Sequence, residues 1–344
     1  MPVLNPKALI ENRVDAIRAM HAEAGLEKAE IDVSGGIDSA ILVNLLARAL
    51  GPENVIAVHS QINSNPDALL RAREACEVTG VKLVEVDLTL IYEDLTELMI
   101  ERMMKAGYEV ADTKANPAIL GSIRSTIRAP IGRGFNRLFN GGIRHGTGNE
   151  CEDRWTRFFQ KGGDGEVDSN PIAMLSKAEV GQLAIALGVP KSIITATPSP
   201  DLWGSGDAHN DEDEFADYFG FKASDYGQTF YGYVDSETGA YTKVGLIERV
   251  SRYLDETYGT HAAWVVEDHL FAAREPDWEH LLGLATRHIL LSGLGPDLIT
   301  KLLQAARRIE RQTHHKMNPN CPSLGERSDL IAAGILTNTL PNLA

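Results

Sequence analysis

Apolar side chains recur at helical spacing between Pro6 and Ala24 (Leu9, Ile10, Val14, Ile17, Met20), which predicts an amphipathic packing helix at the start of the chain. A short run from Ala29 to Val33 reads as a strand, followed by a glycine turn and a helix from Ser39 to Leu50. Asn54–Val58 and Val81–Val86 predict two more strands, Pro66–Thr79 a helix between them, and Leu88–Gly107 a helix after them. Strands alternating with helices predict an α/β fold with a doubly wound parallel sheet. The Arg- and Gly-rich stretch from Asn116 to His145 reads as helical in its first half, then as helix or loop returning to a strand. Ser176–Leu187 is a helix with Gly188 as its stop. Asp207–Asp217 reads as an acidic loop, and Phe230–Val244, with its Ser-Glu-Thr-Gly turn, as a hairpin. Beyond Gly245 the pattern is helical, over Leu246–Tyr258, Trp278–Leu291 and Pro296–Thr313. The division expected is a main α/β domain over residues 1–220, with residues 221–344 as a hairpin and helical C-terminal extension packing on it.

Composition narrows the partners. The 344 residues are 43% hydrophobic and 24% charged, ordinary for a water-soluble globular protein. The formal net charge of −15 argues against a grip on nucleic acid. No apolar run is long enough to span a bilayer, and the opening helix is too polar for an export signal. Cys76, Cys151 and Cys321 lie far apart with no C-x-x-C pair, which suits neither a disulfide framework nor zinc. Reduced thiols in a cytoplasmic protein are the expectation.

The chemistry begins at Ser34-Gly35-Gly36-Ile37-Asp38-Ser39, placed after a predicted strand and opening a helix. Two glycines let the backbone turn tightly toward an anion, and serine hydroxyls with the helix N-terminal N–H groups can donate to phosphate oxygens. Asp38 would repel phosphate unless a divalent cation lay between them, so it implies Mg²⁺. This hexapeptide resembles the PP-loop of the N-type ATP pyrophosphatases. That superfamily has Rossmann-type layers of the adenine nucleotide alpha hydrolase kind, and includes NAD synthases, GMP, asparagine and argininosuccinate synthetases, and tRNA-modifying enzymes. The resemblance implies that ATP, as co-substrate, is split between its α- and β-phosphates.

Further segments resemble the ammonia-dependent NAD synthases. Gly146-Thr147-Gly148-Asn149-Glu150-Cys151-Glu152 is similar to G-T-x-N-x-x-E, which implies that Thr147 touches ATP and Glu152 ligates magnesium. Phe158 to Asp168 is similar to F-F-T-K-Y-G-D-G-x-x-D, implying contacts from Lys161 and Asp168 to deamido-NAD. Asn170-Pro171-Ile172 with Leu175-Ser176-Lys177 resembles N-P-I-x-x-L-x-K, which puts Lys177 on the ATP phosphates. Pro198-Ser199-Pro200-Asp201-Leu202 resembles P-[ST]-A-D-L, with Ser199 near ATP, and His315-Lys316 resembles a pair that contacts deamido-NAD. The ATP set implied is therefore Ser34, Gly35, Gly36, Asp38, Ser39, Thr147, Lys177 and Ser199, with Asp38 and Lys177 catalytic and Asp38 and Glu152 holding Mg²⁺.

The residue chemistry agrees. Ammonia cannot displace oxide from a carboxylate, whereas a carboxyl adenylate offers AMP as leaving group. Charge then builds on the departing pyrophosphate, where cations are needed. Lys177 opens a helix, where a lysine opposes the dipole, so a phosphate partner explains it better than helix stability does. The Asp211–Glu214 run reads first as solvated surface. The substrate side departs from the family pattern: Leu120 and Ser122 occupy the places of the expected arginines, and Gly162 replaces a tyrosine. Arg124 and Arg128, one helical turn apart, are the candidates to replace the lost deamido-NAD contact, with Arg133 and Arg137 next. Nothing resembles a glutaminase, so ammonia is expected from solution or a separate partner. The family's habit implies a homodimer, to which the N-terminal helix would be suited.

Overall fold

The computed structural model describes residues 3–114, 116, 118–199, 210–258, 277–313, 316 and 324–338. Expectations on Pro200, Asp201, Leu202, His315 and Cys321 lie outside these residues.

The chain opens with helix α1 (Pro6–Ala24), begun by Pro6 and by the Asn5 side chain, which accepts from the N–H of Ala8, and ended by Gly25 in the left-handed region. Four strands follow in a parallel sheet: β1 (Ala29–Asp32), β2 (Val55–Gln61), β3 (Lys82–Asp87) and β4 (Ile143–His145), in the order β3-β2-β1-β4. Helices α2 (Ile37–Leu50) and α3 (Pro66–Thr79) connect the first three strands. Helices α4 (Thr89–Lys105) and α5 (Ala118–Leu138) carry the chain from β3 to β4, on the far side of β1. Strands β1 and β2 are largely buried, as a covered parallel sheet requires, with Glu30, His59 and Ser60 among the buried side chains. β3 is an edge, and its Lys82, Glu85 and Asp87 suit the exposure. Helices α1, α2, α3 and α6 (Lys177–Leu187) pack together against one face, and α4 and α5 against the other. The predicted doubly wound sheet is the one observed.

The stretch from Ala118 to Leu138 is a single helix, so of helix or loop in the second half it is the helix that forms; it passes through Pro130, which lies on the exposed side. After the short helix α7 (Lys191–Ile194), the acidic stretch forms helix α8 (Asp211–Phe219) where a loop was expected. Asn210 caps it by accepting from the N–H of Asp213, and four acidic residues in the first turn complement the helix dipole. The hairpin, β5 (Tyr233–Val234) with β6 (Tyr241–Lys243), leads to α9 (Leu246–Tyr258). Then come α10 (Trp278–Ala285), α11 (Pro296–Thr313) and α12 (Arg327–Ala332). α10 stops short of Leu291: a separate 3₁₀ turn, Ile289–Leu291, is capped by the His288 ring.

Apolar side chains gather into two large clusters. One fills the space between sheet, α1, α2 and α6, and takes in Leu330, Ile335 and Leu336 from the C-terminal end. The other joins α8, the hairpin approach, α9, α10 and α11, and reaches Cys151 in the main sheet's own loops.

Candidate active site

The chain leaves β1 in one direction toward β2 and β3, and later returns on the other side to β4. In such a sheet a crevice opens at the carboxyl ends of the two strands where the winding reverses. The loop after β1 holds Ser34–Ser39, and the loop after β4 holds Gly146–Glu152, so both motifs meet there.

The phosphate loop is shaped by Gly35, whose φ of 85° is left-handed and where a Cβ would run into the carbonyl of Ala68. Ser34 Oγ accepts from the N–H of Gly36 and lies 3.2 Å from Ser39 Oγ, which itself donates to the Gly36 carbonyl. No side chain caps α2 at Gly36, so its first turn faces the crevice with only backbone N–H groups, the usual seat of an anion. Arg71 on α3 donates to the Gly35 carbonyl at 3.0 Å, placing a guanidinium beside the loop.

Glu150–Thr156 forms a single π-helical turn, capped by Asn149. The turn divides its charges instead of exposing them together. Glu150 points inward to Arg252 at 2.8 Å, Asp153 accepts from Asn170, and Glu152 faces the crevice. The Asn149 side chain accepts from the N–H of Cys151 and Glu152 and donates to Asp38, tying the two loops together.

Lys177 closes the arrangement. A reciprocal Ser176–Glu179 capping box starts α6 and fixes where its first residue points. The Lys177 ammonium donates to Asp38 at 2.7 Å and to Glu152 at 2.9 Å. Burial would lower the lysine, but Asp38, Glu152 and Asp211 outweigh it and hold the ammonium charged well above its usual range. Burial raises Asp38 against the pull of Lys177, with Glu152 adding to the rise. Burial opposes Glu152 as well, yet Lys177 and hydrogen bonds from Lys177, Asn149 and Tyr231 keep it below the ordinary carboxylate range. Asp211 is pushed up to about 7, by burial first and then by Glu152 and Asp38, with Lys177 opposing.

The other residues implied by resemblance lie around this centre. Thr147 is half-buried just after β4, and Ser199 is exposed at the last described residue before the gap. Lys161 is half-buried in the Phe158–Asp168 loop. Asp168 is already engaged: Arg133 grips it at 2.7 and 2.9 Å while also holding Glu166, and the N–H of Arg144 donates to it. Lys316 donates to the carbonyls of Arg157 and Phe159, so it anchors the base of that loop. Arg124 is buried with its guanidinium 5.7 Å over the Tyr92 ring. Arg128 is half-buried at the carboxyl end of β2, donating to the Ser60 carbonyl and to Ser64 Oγ.

Three residues of the centre were not reached from the sequence. Asp211 stood within a run of four acids, and only folding separates them: Asp211 turns to Lys177, while Glu212 accepts from the N–H groups of Phe230 and Tyr231. Arg71 carried no motif. Tyr231, whose O–H donates to Glu152 at 2.8 Å, lies 79 residues away along the chain, and no local pattern announces it.

The sequence profile of the NAD synthase family matches residues 9–220. The chain belongs to the NAD synthase family. It is 32% identical over 215 residues to an NH₃-dependent NAD⁺ synthetase of Methanococcoides burtonii, an alignment covering 62% of this chain and 75% of that protein. An NH₃-dependent NAD⁺ synthetase of Archaeoglobus fulgidus is 33% identical over 204 residues, covering 58% and 76%. Among solved structures, an NMN synthetase from Francisella tularensis superposes with a TM-score of 0.62 at 20% identity, covering 92% of this chain and 97% of that one. That last likeness is one of fold, and its share of the chain is larger than the stretch matched by the family profile.

Asp38, Lys177 and Glu152 form one charged cluster at the crevice of the sheet. Two carboxylates and one ammonium leave a net negative charge before any nucleotide enters. Among the described residues no group of three or more His, Cys, Asp or Glu side chains could hold a metal unaided. Mg²⁺ is commonly bound by one or two carboxylates together with water and substrate phosphates, and the donor pair fits that habit.

Proposed function

We propose that this chain amidates deamido-NAD to NAD with ammonia, through an adenylated carboxylate, releasing AMP and pyrophosphate. The observation that carries the reading is the convergence of Asp38, Glu152 and Lys177 beside an uncapped helix N-terminus at the crevice of the sheet. The NH₃-dependent NAD⁺ synthetases to which the chain is similar support it.

In this reading Ser34, Gly35, Gly36 and Ser39 cradle the ATP phosphates, and Thr147 and Ser199 line the nucleotide. Asp38 and Glu152 hold Mg²⁺, which when bound neutralises charge on the phosphates. Lys177 leaves its carboxylate partners for phosphate oxygens, following charge onto the leaving pyrophosphate. The bond from the substrate carboxylate to the α-phosphate forms as the α–β bridge breaks. Ammonia then attacks the acyl carbon, AMP departs with the pair of electrons of the broken acyl–oxygen bond, and the surplus ammonia proton passes to water. The protein's part is positioning and electrostatics.

Arg128 is the better placed of the two candidate arginines for deamido-NAD, since it stands at the carboxyl edge of β2 whereas Arg124 lies beneath Tyr92. Lys161 and the His315–Lys316 segment are assigned to the same substrate. The clasp of Asp168 by Arg133 favours a second reading, in which a shorter acid such as the mononucleotide is amidated and Asp168 is left to structure. Arg128→Ala should raise the deamido-NAD KM at least several-fold while leaving the ATP KM nearly unaltered.

Mass spectrometry of products from MgATP, ammonium and each acid separates these readings. NAD with AMP from deamido-NAD is expected. Formation of ADP would overturn the adenylation chemistry, and turnover of the mononucleotide acid alone would favour the second reading. Asp38→Ala and Glu152→Ala should each lower turnover by roughly a hundredfold or more with the fold retained, as expected for loss of a metal-bound carboxylate. Near wild-type activity of either at limiting Mg²⁺ would remove that residue from the metal.

Cytoplasmic placement accords with Cys76 and Cys151 being buried free thiols, and no helix among the described residues is long and apolar enough to cross a membrane. We assign a homodimer to the apolar face of α4, because the apolar face of α1 is already spent on its own core. We also propose that residues up to about 220 form the ATP-splitting unit and the rest an extension packed on it, with α8 shared between them.

A further inference from the structure

Tyr231 approaches the reaction centre from beyond residue 220, where the match to the family ends. Its ring is buried, 5.0 Å from Phe215 in an edge-on contact, and its N–H is held by Glu212. The phenol donates to Oε1 of Glu152 at 2.8 Å, the same oxygen that receives Lys177 at 2.9 Å. The Lys177 ammonium lies 5.2 Å over the face of the same ring. Two further bonds come from the following helix. Glu248 on α9 accepts from Ser176 Oγ at 2.9 Å, steadying the cap of the helix that carries Lys177. Arg252 on α9 holds Glu150 at the start of the π turn that carries Glu152.

One oxygen of Glu152 therefore serves two donors of different kinds. An ammonium on a flexible stem can leave for a phosphate. A phenol on a packed ring cannot follow it. A neutral donor is also what the place requires, because a second cation there would compete with a metal for the carboxylate.

We propose that Tyr231 is a positioning residue that fixes the Glu152 carboxylate for the divalent cation once Lys177 has moved to phosphate, and that the C-terminal extension thereby completes the active site. The inference rests on the assignment of Asp38 and Glu152 to the cation.

The test uses the full chain with Mn²⁺ in place of Mg²⁺, titrated by electron paramagnetic resonance with a non-hydrolysable ATP analogue present. Tyr231→Phe keeps the ring, its packing and its contact with Lys177 and removes only the hydroxyl. The expected result is a loss of about tenfold in Mn²⁺ affinity, the usual scale for removing a group that orients a metal ligand. Analogue affinity in EDTA and thermal midpoint should stay at wild-type values. If Tyr231→Phe binds Mn²⁺ like wild type while Glu152→Gln loses it, the proposal fails and the metal assignment stands. If Glu152→Gln binds Mn²⁺ like wild type, the assignment fails and the proposal with it. Parallel falls in thermal midpoint and metal-free nucleotide affinity would mark Tyr231 as merely structural and also overturn it.

Discussion

Glu30 and Arg144 face each other across β1 and β4, and neither reaches water. Arg144 donates to both Glu30 oxygens, at 2.7 and 2.8 Å, and also reaches Asp32. Burial and the nearby Asp32 push Glu30 up to about 8 even so, with the arginine opposing. Such a pair adds little net stability but is costly to break. Arg144→Met should cost about 3–5 kcal/mol, and adding Glu30→Gln should restore part of it; urea unfolding of the two variants measures both. The alternating run Ala29 to Val33 predicted the strand, yet nothing local marked Glu30 as buried, because its partner is 114 residues away. Glu248 allows a pH test. Burial and Glu179 raise it from 4.5 to about 7, against Arg252. The native state then binds more protons than the unfolded chain between those values. Its contribution to stability is whole below about 4.5 and is lost as pH rises through about 7. Glu248→Gln should escape that loss, gaining on wild type by up to about 3 kcal/mol between pH 5 and 8. A constant difference across that range would refute the assignment.

At the level of elements, caps and periodicity carried most of the reading. The expected limits of α1, α3 and α11 are those observed: each opens on a proline, and α1 and α3 also have Asn before it and Gly after their last turn, which leaves the backbone few choices. The phosphate loop was legible for the same reason, and its two glycines are separable by experiment. Gly35 needs its left-handed backbone and has no room for a side chain, whereas Gly36 has φ −87° with ordinary contact to Ser34. Gly35→Ala should therefore raise the ATP KM at least tenfold, with strain of about 1–3 kcal/mol, and Gly36→Ala should do much less. Equal effects in steady-state kinetics would show that the loop's shape does not rest on Gly35. Helix α8 forms where a loop is expected, although its signal is present in the sequence: Asn210 followed by four acids is a cap with a favourable first turn.

Across the whole molecule, α4 stands out. It buries only Tyr92 and Thr96 and exposes Ile91, Leu95, Leu98, Met99 and Met103, spaced along one side of the helix. A second copy would cover that face. Leu95→Glu with Met99→Glu should shift the protein to monomers in light scattering, and a monomeric wild type would remove the assignment. The aromatic cluster is shared in a similar way, since Phe215 and Phe219 of α8 pack against Phe230 and Tyr231 from beyond residue 220. From sequence alone came the parallel α/β layers, the phosphate loop, and the carboxylates and lysine expected around ATP. These depend on periodicity, caps and short spacings, which act within one or two turns of chain. Only the tertiary structure decided that Glu152 meets Lys177 and Tyr231, that Arg133 clasps Asp168, and that Asp211 is buried within electrostatic reach of Lys177. Those meetings join residues tens of positions apart, and they are set by how helices and sheet pack, which no local pattern contains.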